Sequence, residues 1–92
     1  IMNEADLILE INEYIPEARA VSTKEFYDNE DSKGIWFKGS EDIASDGTIV
    51  FDCNESYRSD TQGIHPTLYD ILEKAGWYGQ PYDAGTLLAY EI

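Results

Sequence analysis

Leu7, Ile8, Ile11, Tyr14 and Ile15 recur at helical spacing, so one apolar stripe forms if this segment winds as an α-helix. Asn3 stands where an N-cap belongs, Asp6 takes the capping-box position, and Glu4 suits the positive end of the helix dipole. Pro16 disfavours helical geometry at Ile15, which predicts a helix over 4–14. A second stripe of Leu68, Ile71, Leu72 and Ala75 follows Pro66 and stops at Gly76. It predicts a helix over 66–75, with His65 as its cap and Ile64 and Tyr69 at staple positions. Ser22-Thr23-Lys24-Glu25 fits the S-x-x-E box and predicts a short helix near 23–28.

Three segments carry strand patterns: Ile35-Trp36-Phe37-Lys38, Thr48 to Cys53, and Thr86 to Ile92. Asp46-Gly47 is a hairpin-type turn signal, so 35–38 and 48–53 are expected to pair antiparallel. Trp77 to Gly85 contains Gly79 and Pro81 and reads as an aromatic, turn-rich loop. The predicted class is therefore α+β: a small, three-stranded, mostly antiparallel sheet with two main helices, 4–14 and 66–75, on one face. Residues 1–92 make one acidic domain, and Ile1 ahead of Met2 reads as a cloning remnant.

Composition changes that reading in one respect. The 42% hydrophobic content, with seven Tyr, three Phe and two Trp, suffices for a core and argues against global disorder. The outlier is charge, because 19 acids against 6 bases leave −13. Direct binding to nucleic acid or an anionic membrane would be opposed by phosphate repulsion. An electrostatic partner must then be a basic protein. No apolar run is long enough for a membrane span, and one cysteine supplies neither a disulfide framework nor a Cys-based zinc cluster. A reducing, cytoplasmic setting is the expectation.

Candidate chemistry is sparse. Read as calcium loops, the stretches from Asp28 and from Asp42 both fail: the first has Lys33 where Gly is required, the second Cys53 where the bidentate Glu belongs. Cys53 and His65 are the only thiol and imidazole, and their contexts suit a buried small hydrophobe and a helix cap. No phosphate loop or nucleophile elbow occurs. Neither an enzymatic activity nor a cofactor is expected. Trp36 and Phe37, consecutive in a strand, must point to opposite faces, so only one need be core. Trp77, Tyr78 and Tyr82 fit either a packed loop beneath helix 66–75 or an exposed interface patch.

The acids of the first helix have a pattern of their own. Asp6, Glu10 and Glu13 lie at i, i+4 and i+7, opposite the apolar stripe, and no Lys or Arg occurs before Arg19. Like charges so placed cost a few tenths of a kcal/mol per pair. A face kept for solubility alone normally mixes signs. Asp28, Glu30 and Asp31 form a second acidic cluster in a loop, with a solvated loop as its plainer reading.

In size, charge and mixed acid–aromatic character the chain resembles the loose class of phage or mobile-element DNA-mimic inhibitors, anti-CRISPR and anti-restriction proteins among them. That class shares a physical style and no sequence motif, so it assigns no site residue. The resemblance implies a small inhibitor that occupies the basic groove of a nucleic-acid-handling protein. Asp6, Glu10, Glu13, Asp28, Glu30 and Asp31 are the candidate binding residues. The alternatives are an immunity or antitoxin-like protein that neutralises another basic partner, and an acidic surface that serves only solubility or a saline cytoplasm.

Overall fold

The computed structural model describes residues 3–28, 31, 33–52, 63–83 and 85–92. The class is α+β, and the sheet has four strands rather than the expected three. In chain order the elements are α1 (Glu4–Tyr14), a 3-10 turn (Pro16–Ala18), β1 (Ala20–Ser22), α2 (Thr23–Tyr27), β2 (Ile35–Phe37), α3 (Pro66–Ala75), β3 (Trp77–Asp83) and β4 (Thr86–Glu91). The strand order is β1-β2-β4-β3, and every neighbouring pair is antiparallel.

The caps behave as their residues dictate. The Asn3 side chain accepts from the Asp6 amide, Ser22 caps α2 through the Lys24 amide, and His65 caps α3 through the Thr67 amide. Ile15 leaves helical geometry just ahead of Pro16, as the proline requires. Gly76 closes α3 at φ 79°, a left-handed conformation that glycine adopts without steric penalty.

Strand parity divides the molecule into two apolar layers. Ile35 and Phe37 of β2 point to one face together with Leu87 and Ala89 of β4. There they meet Leu7, Ile11 and Ile15 of the α1 segment and Leu68, Ile71 and Leu72 of α3. Tyr14, expected on the apolar stripe, is instead 64% exposed, as the last residue of α1 and part of the lining of an open groove beside α3. Trp36 and Leu88 point to the opposite face, which α2 partly covers with Phe26. Hence α1 and α3 share one face as expected, while the short helix lies on the other.

Three strand expectations need correction. The segment 48–52 is not a ladder strand; Ile49 and Phe51 make isolated bridges to Ile43 and Ile64. Its peptide groups are divided between two neighbours: Val50 donates to Asp42 and Phe51 to Ser40, whereas Asp52 donates to Gly63 and the Val50 carbonyl accepts from His65, while β2 pairs with β1 and β4 instead. The Asp46-Gly47 turn does form, with Gly47 at φ 85°, but it folds the segment back on residues 40–44. Cys53 lies outside the described residues. The supposed loop from Trp77 is strand β3. Gly79 fits there because a Cβ would run into the Ile64 side chain, and Pro81 is tolerated because β3 is an edge. Finally, β1 carries no sequence signal beyond Val21.

That first edge is closed by a side chain. Lys38 donates to the Arg19 carbonyl and Thr23 to the Gly34 carbonyl, so the N–H and C=O of Ala20 must face away from β2. The Asn12 amide of α1 takes both, accepting from Ala20 N–H at 2.8 Å and donating to its carbonyl at 3.0 Å. A primary amide thus stands where another strand would otherwise pair.

Candidate binding surfaces

Asp6 and Glu13 are exposed on the outer side of α1, and Glu10 is half-buried between them. Among the described residues no Lys, Arg or His forms an ion pair with any of the three. Glu10 lines a groove between α1 and α3 with Tyr14, Thr67, Asp70, Ile71 and Lys74. Asp70 therefore adds a carboxylate to the expected stripe from a second helix. Lys74 adds a cation and is held by Asp70 at 3.0 Å, an i,i+4 pair that raises the lysine pKa through hydrogen bonding. Sequence spacing within one helix could not show this. Only packing of α3 beside α1 places Asp70 and Lys74 in the same groove as Glu10.

Asp28 and Asp31 are exposed at the far end of α2, while Glu30 lies outside the described residues. Asp28 holds φ 52° as the C-cap of α2, so its backbone has a structural duty as well. The loop that follows is tied to α1 through Glu4, whose carboxylate accepts from the Gly34 amide at 2.8 Å. Glu17 sits on the 3-10 turn, and its Oε1 is buried with no hydrogen-bond partner among the described residues.

His65 is buried, with Nδ1 accepting from Thr67 N–H and Nε2 facing both Asp46 oxygens at 3.0 and 3.2 Å. Because the Nδ1 lone pair is used, the ring proton belongs on Nε2 and is directed at Asp46. Asp46 itself is held below the usual carboxylate pKa, first by the Thr48 amide and then by His65. The pair fastens the Asp46-Gly47 turn to the start of α3. Among the described residues, no group of three His, Cys, Asp or Glu side chains could hold a metal ion.

The second sheet face is aromatic. Phe26 meets Tyr27, Trp36 and Tyr82 edge-on, with ring centroids 4.8, 5.0 and 5.0 Å away. Tyr78 and Tyr90, paired across β3 and β4, stand 6.2 Å apart on this face. Burial and a hydrogen bond that its hydroxyl donates to Tyr27 push the Tyr90 phenol up to about 12. Beneath them Leu88 is almost fully enclosed, yet the outer rings are open: Tyr27 is 46%, Tyr78 43% and Tyr82 57% exposed. The 77–82 aromatics thus divide between core and surface. Trp77 closes the helix-side core, whereas Tyr78 and Tyr82 face solvent. The strand alternation of β3, hidden by Gly79 and Pro81, is what separates them.

Comparison of the chain with protein-family models, curated proteins and solved structures returns no match. No helix among the described residues is long and apolar enough to cross a membrane.

Proposed function

We propose that this protein is a small acidic inhibitor that binds the basic groove of a nucleic-acid-handling protein in place of DNA or RNA. The observation that carries the proposal is the α1 face, where Asp6, Glu10 and Glu13 stand without a cation partner among the described residues. Three charges over seven residues give about one per 5 Å along the helix axis, against roughly one per 3.4 Å along a nucleic-acid strand. A Lys/Arg groove would meet a comparable line of negative charge. The net charge of −13 would steer the encounter and oppose any direct contact with nucleic acid.

The test is affinity capture from the natural host lysate, eluted on a salt gradient, followed by competition. A captured nuclease, restriction enzyme, CRISPR effector or repressor should release its nucleic acid as the acidic protein is added. Capture of a basic protein that binds no nucleic acid would replace this reading with that of an immunity protein. Recovery of no partner, with a melting temperature that climbs steeply in molar salt, would leave the acids as a solvent adaptation.

A further inference from the structure

We propose that the aromatic face of the sheet is a docking surface for an arginine-bearing segment of a basic protein partner. The proposal rests on the reading of the partner as basic, and it concerns a face distinct from the acidic side of α1. Phe26 and Trp36 stay half-buried while Tyr27 and Tyr82 rise beside them, each ring meeting Phe26 edge-on. A layer serving only to cover Leu88 would not need to leave these tyrosines about half exposed. The electron-rich faces of such rings attract cations, and the planar guanidinium stacks on them better than an ammonium does.

The molecule's own chemistry supports the choice of a cation. The Lys38 ammonium lies over the Trp36 ring at 5.6 Å from its centroid, so this site already draws positive charge. Exposed carboxylates at Asp28 and Asp83 directly follow Tyr27 and Tyr82 in the chain. A guanidinium placed over Trp36 and Tyr82 would meet aromatic faces, with the Asp83 carboxylate next to Tyr82 in the chain and the Asp28 carboxylate next to Tyr27. An acidic or a purely apolar segment would gain less, the first from repulsion and the second from desolvating those acids.

The test uses the full chain, isotopically labelled, and two short peptides of equal length and charge: alternating Arg-Gly and alternating Lys-Gly. The two tryptophans supply an internal control, since Trp36 lies on this face and Trp77 in the helix-side core. The Arg peptide should bind about fivefold tighter than the Lys peptide, shifting the Trp36 indole resonance and leaving that of Trp77 in place. Tyr82→Ala, at an exposed position, should cut the Arg preference to within about twofold. Lys38→Met, which removes the resident cation, should raise it. Glu10→Lys with Glu13→Lys should weaken both peptides and leave their ratio intact, so failure of the α1 reading stays separable. Equal binding of the two peptides, no binding, a shift at Trp77 instead of Trp36, or an Arg preference that survives both Tyr82→Ala and Lys38→Met would overturn the proposal.

Discussion

Asn12→Ala is the perturbation with the clearest expected size. The Asn12 amide makes two hydrogen bonds to Ala20, at 2.8 and 3.0 Å, and Ala20 is only 2% exposed, so water could not readily replace both. Each bond nets roughly 0.5–1.5 kcal/mol, and an orphaned buried group adds its desolvation penalty, which gives a loss of about 1–3 kcal/mol. For a domain near this length, that lowers the melting temperature by about 5–15 °C. Urea unfolding followed by tryptophan fluorescence should show a lower midpoint at unchanged slope. Asn12→Asp sharpens the test. It keeps an acceptor for the Ala20 N–H but sets a second oxygen against the Ala20 carbonyl. That carboxyl is better protonated when folded, so its pKa rises in the native state. Its stability contribution is present below the ordinary carboxylate pKa of about 4 and lost as pH rises. The Asp variant should therefore be no more stable than the Ala variant at neutral pH and should recover in acid. An unchanged midpoint for Asn12→Ala would refute the edge-closing role.

Other consequences follow from single sites. Tyr90 has its pKa raised to about 12, so the stability it contributes is intact below the ordinary phenol value of about 10 and drains away between the two. Across that window wild type should lose more stability in alkaline unfolding than Tyr90→Phe, which lacks the titrating group. Asp46 has its pKa depressed, so its contribution is present above the ordinary carboxylate value and lost as pH falls through the native one. Asp46→Asn should therefore show a shallower acid decline in thermal melts. Gly39→Ala places a Cβ against the Glu17 carbonyl in a segment fixed by the Gly39 N–H to Ala18 bond, and should cost about 2 kcal/mol or more in denaturant titration.

Helices were legible because their signals are local. Asn3, Ser22, Pro66 and Gly76 mark caps and stops without help from the rest of the chain. The sheet was less so. Ala20–Ser22 is three residues long and owes its place to Asn12 and β2, neither of which leaves a mark at that position. In β3, Gly79 and Pro81 looked like breakers, yet one fits a close approach by Ile64 and the other an edge. Residues 48–51 have strand composition, and Val50 and Phe51 are buried, but their N–H groups donate to residues 40–42 while the Val50 carbonyl accepts from His65. At the candidate surfaces, the α1 acids were visible by spacing. Only helix packing makes Asp70 and Lys74 share a groove with Glu10, and only strand parity shows which aromatics face outward.

The central claim, that the α1 carboxylates contact a basic groove, is tested most directly by the salt dependence of the complex with the captured partner. Binding constants would be measured across ionic strength for wild type and for the combined Asp6→Asn, Glu10→Gln, Glu13→Gln variant. The account predicts a steep loss of affinity with salt for wild type and a distinctly shallower slope for the variant, with weaker binding at low salt. Coincident slopes and affinities would show that these three carboxylates lie outside the interface.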